Sequence, residues 1–190
     1  MMKADEVERA LKALNGVMEQ RSLRSDLVIL GGASLVVRNL TARATSDVDV
    51  LGIRLPDGIV QSASPLPIEV RAAADDVALA LDLAPMWLDD RPGLDFVNAA
   101  PDGFENRLER VSYGALVVWH LSERDILLIK IIASAERWGE QPNKHWEDAR
   151  ALGIDGDTLD DAYQFAKRIW ADESAAWSAL AKIREHFDGQ

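Results

Sequence analysis

The stretch "LGGASLVVRNLTARATSDVDVL", Leu30 to Leu51, constrains this chain more than any other. Its end, "DVDVL", alternates acid and valine with the two-residue period of a strand. Asp47 and Asp49 therefore project to one face while Val48 and Val50 enter a core. Two parallel carboxylates repel, and each is costly to bury without a counter-charge. A divalent cation between them turns the repulsion to use, and an all-oxygen donor set favours Mg²⁺ or Mn²⁺, ions that bridge carboxylates and phosphates. The stretch begins on a short apolar strand, "DLVILGG", closed by a glycine pair. Without Cβ atoms, Gly31 and Gly32 let backbone N–H groups approach a phosphate, and a brief helix starting near Ala33 turns its positive end to the same place. Ser34, in the first turn, adds a hydroxyl donor; Arg43 neutralises phosphates or holds an aspartate in place.

A D-x-D pair alone also fits a solvated strand edge. A second copy, Asp155 and Asp157 in "GIDGDTL", reads as a turn and helix cap. The first copy is distinguished by the ordered run of apolar strand, Gly-Gly, short helix and R-x-T-x-D-x-D.

The remaining composition narrows the classes open to the chain. At 190 residues and 48% hydrophobic content it can bury a sizeable core. A formal net charge of −11 opposes broad binding to nucleic acid, which relies on Lys and Arg against phosphates, although a local basic strip is compatible with it. The absence of cysteine removes disulfides and thiolate ligands. The N-terminal "MMKADEVERALKAL" is amphipathic rather than a signal peptide, and no apolar run approaches the length of a membrane span. The expected location is cytoplasmic.

Hydrophobic periodicity predicts an amphipathic helix over residues 4 to 20, with Val7, Ala10, Leu11 and Leu14 on one face, then the two strands flanking the glycine pair. "IEVRAAADDVALALDLA" predicts a helix that stops near Pro85. "MWLDDRPGLDFVNAAPDGFE" reads mostly as loop, with "LDFVN" a possible short strand, and "RLERVSYGALVVWHL" as two strands around Gly114. The last third is helical: Ser122 and Asp125 approximate a capping box before "ILLIKIIASAERW", Gly153 is placed to end "KHWEDARAL", and two further helices fill 158 to 170 and 173 to 187. The expected organisation is a mixed α/β (α+β) core over 1–120 and a helical part over 121–190 packed on it.

The Leu30–Leu51 stretch resembles the signature of the polymerase-β-type nucleotidyltransferase superfamily, a glycine-containing turn followed by an acid-x-acid strand. It is similar to the bacterial branch with "GG-x-A…R-x-T-x-D-x-D", which includes AbiEii-like toxins and DUF6036-like proteins. "MWLDD" is similar to a W-L-N element of one such group, and "LSERDILLIKIIASAERWGEQPNKHWEDARALG" to its later helices. The resemblance covers about residues 26 to 153. It implies a mixed sheet flanked by helices and a metal-dependent transfer of a nucleoside monophosphate from a triphosphate to an acceptor hydroxyl. Gly31, Gly32 and Ser34 would cradle the triphosphate, Asp47 and Asp49 would bind Mg²⁺ or Mn²⁺, Arg43 and Lys130 would sit near the phosphates, and Asp148 would complete the rear of the site. The acceptor would be tRNA, a protein or a small molecule, and a toxin–antitoxin setting is one implied context.

Some roles stay open on the residues themselves. Lys130 in "ILLIKII" equally fits a lysine snorkelling at a helix margin, and Asp148 an exposed charge pairing with Lys144. The superfamily's third carboxylate has three candidates: Asp95 in "GLDFVN", the expected catalytic one, Glu109 in "RLERV", and Asp89, which stands where the related group more often has asparagine. Should none reach the metals, the alternative is a catalytically silent module acting through a protein partner. The three histidines show no zinc-ligand spacing, and Ser34 lies in G-G-A-S rather than a nucleophile elbow. Trp138, Trp146, Trp170 and Trp177 read as core or interface anchors.

Overall fold

Helix α1 (Ala4–Gln20) turns Val7, Ala10, Leu11, Leu14 and Met18 inward, all fully buried, and its opposite face carries the charges. In this computed structural model, which describes residues 1–96, 98–139, 142–170 and 172–189, the apolar face packs into a core shared with a mixed sheet. The fold is of the mixed α/β class, as the patterning predicts.

The sheet runs β3-β2-β1-β6-β5. Its strands are β1 (Ser25–Leu30), β2 (Val48–Arg54), β3 (Val60–Ser62), β4 (Leu88–Asp89), β5 (Glu109–Ser112) and β6 (Leu116–His120). β1 is antiparallel to β2 and parallel to β6, and β5 and β6 form the antiparallel pair around Gly114. The outer edge of β2 is divided between two short strands: β3 lies antiparallel along Gly52–Arg54, and β4 parallel along Val48 and Asp49.

Two elements depart from the patterning. "MWLDD" contains a strand, β4, where loop is predicted, and "LDFVN" supplies no strand among the described residues: Arg91–Asp95 is a 3₁₀ helix and Val97 lies outside them. The β4 strand is held by contacts distant in sequence. Trp87 is fully buried, its indole N–H donates to the Ala74 carbonyl of α3 (Ile68–Leu81) at 2.9 Å, and its carbonyl accepts from Val48 N at 2.6 Å. Arg71 of α3 donates to the Leu88 carbonyl and to Asp90, both at 2.7 Å, and Asp90 accepts from Leu66 N at 2.8 Å.

The chain divides into two compact units, Met1–Ala99 with Gly103–Ser122, and Ala100–Asp102 with Glu123–Gln190. The second unit contains α4 (Glu123–Glu136), α5 (Lys144–Ala151), α6 (Gly156–Ile169) and α7 (Glu173–Asp188) around their own apolar core. Asp155 caps α6 through a reciprocal pair with Thr158, at 2.8 and 2.9 Å, confirming the reading of that second acid pair as a cap. Trp138, Trp146 and His186 pack edge to face, with ring centroids 5.4 to 5.7 Å apart. Among the described residues no helix is long and apolar enough to cross a membrane.

Candidate metal centre

Strand register, not sequence proximity, assembles the acidic site. Asp49 on β2 pairs with Leu30 of β1 on one side and with Asp89 of β4 on the other. Neighbouring strands lie about 4.8 Å apart, so the Asp49 and Asp89 side chains stand side by side. Asp47, two residues before Asp49 and immediately before β2, projects to the same face, while Val48 and Val50 are fully buried beneath. Carboxylate oxygens of Asp47, Asp49 and Asp89 all lie within 4.8 Å of one another. Three hard oxygen donors at that spacing suit one or two ions of the Mg²⁺ or Mn²⁺ type.

The glycine turn is built into the same corner. Gly31 has φ +75°, a conformation that L side chains rarely adopt, and a Cβ there would overlap the Asp49 carboxylate. A Cβ on Gly32 would come within 2.9 Å of Thr45 Oγ1. Thr45 in turn donates to the Asp47 carbonyl at 3.1 Å, and its backbone forms a bridge with Met2. The threonine of R-x-T-x-D-x-D thus supports both the turn and the first acid, a role the sequence reading did not assign. Ser46 Oγ donates to Asp47 at 3.0 Å.

Asp89 is buried, with 3% of its surface exposed, and its counter-charge is Arg91. Arg91 Nε donates to both carboxylate oxygens, at 2.9 and 2.8 Å, and Arg91 N to Oδ1 at 3.0 Å, while Nη2 pairs with Oδ2. The guanidinium holds the Asp89 carboxyl below its usual range, outweighing the opposite push of burial, so the group is ionised at neutral pH.

Of the residues singled out in the sequence, Gly31, Gly32, Asp47 and Asp49 converge here. Asp95 does not: it ends the 3₁₀ helix, is exposed, and accepts from Asn98 Nδ2 at 2.9 Å. The acid that joins the pair is Asp89, because β4 aligns it with Asp49. Glu109 lies exposed on β5 in a bidentate contact with Arg38, 2.9 Å to each oxygen. Arg43 is half-buried before β2, its backbone N–H donating to Thr41 Oγ1 at 3.3 Å.

Ser34 turns inward. The helix α2 (Gly31–Val37) starts at Gly31 rather than near Ala33, so residue 34 falls on the buried face, and its hydroxyl lies 2.9 Å from His120 Nδ1 with no exposed surface. With only seven residues, α2 also contributes little dipole at the turn. Lys130 and Asp148 lie in the second unit and pair with each other at 2.8 Å, their side chains 6% and 2% exposed. Neither the snorkelling lysine nor the exposed Asp148–Lys144 pair fits that geometry. A separate cleft of about 640 Å³, lined in part by Arg24, Asp26, Arg54, Gln61 and Glu69, opens at the other end of β1 and β2 and contains none of the acidic trio.

His120 is 1% exposed, and burial, reinforced by Arg38, lowers its pKa from 6.5 to about 4. It is neutral in the folded protein, whereas the unfolded chain takes up its proton below pH 6.5. Its contribution to stability is therefore complete above pH 6.5 and lost as pH falls toward 4, amounting to about 3 kcal/mol at 1.36 kcal/mol per unit. Urea denaturation at pH 7 and pH 5 is expected to show a smaller drop in stability for His120→Asn than for the wild type; equal drops would count against this assignment.

At one end of the mixed sheet a glycine turn thus packs against clustered acids. Residues 8–186 match the family described as nucleotidyltransferases of unknown function, DUF6036, and the chain belongs to that family. No curated protein and no solved structure matches it.

Proposed function

We propose that this protein is a metal-dependent nucleotidyltransferase, moving a nucleoside monophosphate from a triphosphate to an acceptor hydroxyl. The observation that carries the reading is the convergence of Asp47, Asp49 and Asp89 within 4.8 Å beside a turn at Gly31 that has no room for a side chain. The family description supports the reaction class. Asp47 and Asp49 would hold the ions, and a bound Mg²⁺ or Mn²⁺ supplies Lewis acidity toward phosphate oxygens and lowers the pKa of the acceptor hydroxyl.

The chain's own groups do the rest. Gly31 and Gly32 give the polyphosphate close access to backbone N–H groups. Asp89, an ionised carboxylate, takes the proton of the acceptor hydroxyl as that hydroxyl's oxygen bonds to the α-phosphorus; the bond from that phosphorus to the bridging oxygen breaks, and pyrophosphate leaves. Ser34, turned inward against His120, is outside this set. The presence of a third carboxylate favours transfer over a catalytically silent module. The acceptor is tRNA, a protein or a small molecule, and a toxin–antitoxin role is one setting for it.

The test is pyrophosphate release from each of ATP, CTP, GTP and UTP with Mg²⁺ or Mn²⁺, in the presence of total tRNA, cell protein or small hydroxylated acceptors. Release that chelation by EDTA stops is the expected result. No release and no calorimetric binding of any triphosphate would overturn the reading and leave the silent module.

A further inference from the structure

Asp89 has a cation already. Arg91, two residues along the chain, chelates it with side chain and backbone, and its guanidinium also feels the charges of Asp47 and Asp49. The two partners are unequally placed: the Arg91 side chain is 70% exposed and that of Asp89 4%. Releasing Arg91 into solvent strands no charge of its own, but it would leave Asp89, buried beside two other carboxylates, with only the longer-range field of Arg71. Arg71, the next arginine in this corner, is engaged with Asp90 at 2.7 Å and with the Leu88 carbonyl, so it is held in place as support for β4. The arginine can leave only as another cation arrives.

Resting on the nucleotidyltransferase reading, we propose that Arg91 is an exchangeable counter-cation: it neutralises the carboxylate trio in the metal-free protein and transfers to the phosphates of the nucleotide when divalent ions enter. A guanidinium released at the rim of the site is suited to this, because its planar fork bonds phosphate oxygens in pairs. Metal entry and nucleotide capture are thereby coupled through one side chain. Metal alone must displace Arg91; metal with nucleotide gives it a new partner.

The experiment is titration of the full chain with Mn²⁺, followed by the electron paramagnetic resonance signal of the free ion, with and without a nonhydrolysable triphosphate. Wild type is compared with Arg91→Met, which keeps the apolar stem, and Arg91→Lys, which keeps the charge but not the fork. Without nucleotide, Arg91→Met is expected to bind Mn²⁺ about three- to tenfold more tightly than wild type, with Arg91→Lys between them. With Mn²⁺ saturating, Arg91→Met is expected to bind the nucleotide about tenfold more weakly.

Mn²⁺ binding that Asp47→Asn with Asp49→Asn abolishes, yet Arg91→Met leaves unchanged or weakens, overturns the proposal and spares the metal site. Unchanged nucleotide affinity in Arg91→Met also overturns it. Failure of both wild type and Arg91→Met to bind Mn²⁺ removes the metal-site reading and this proposal together. Circular dichroism verifies that the variants fold before binding is read.

Discussion

Replacing Asp47 and Asp49 together by asparagine is expected to lower Mg²⁺-dependent nucleotide transfer by about 1,000-fold or more, with the melting temperature little changed. The amide keeps the shape of the carboxylate but not its charge, so both carboxylates proposed to hold the ions are lost and only Asp89 of the acidic trio remains. Loss of the several kcal/mol that a divalent ion supplies to developing phosphate charge corresponds to about three powers of ten. The fold is expected to tolerate the change because the amide keeps the side-chain shape and both positions are only half-buried. Pyrophosphate release gives the first quantity and thermal melts the second. Melts with Mn²⁺ add a further check, since an ion that binds only the folded state raises the melting temperature of the wild type and not of the variant. Undiminished transfer in the double variant would remove these acids from the reaction.

The second large effect belongs to the helical unit. Lys130→Met is expected to destabilise it by about 3–5 kcal/mol, because the buried Asp148 would lose the ammonium it pairs with at 2.8 Å. Urea denaturation followed by far-ultraviolet circular dichroism measures the loss. Changing both residues, Lys130→Met with Asp148→Leu, is expected to recover most of it, since an apolar pair of similar volume removes the buried charge altogether. Little recovery would show that the pair supports more than itself.

What the sequence discloses follows from how local each cause is. The period of α1, the glycine turn after β1, the alternation of "DVDVL" and the cap at Asp155 are set by residues within a few positions of one another, and all are legible. The third acid is not. Asp89 enters the site because a two-residue strand pairs with the first residues of β2, and that pairing depends on Trp87 reaching Ala74 and on Arg71 reaching Leu88 and Asp90. Two residues carry no periodicity, so Asp95, with its apolar neighbours, looks the better candidate. Ser34 shows the same limit on a smaller scale. Starting α2 two residues earlier rotates the hydroxyl from the expected phosphate side to His120, and element boundaries are what patterning resolves least well.

The overlap that any side chain at position 31 would suffer with the Asp49 carboxylate has a historical consequence. While the acid is present, only glycine fits opposite it. A lineage that lost the acid first would be released from that overlap, while the φ of +75° would go on favouring glycine; any bulk it nonetheless gained at the turn would meet a restored aspartate. Descent through such a step runs one way: two coordinated changes, not one, would be needed to return.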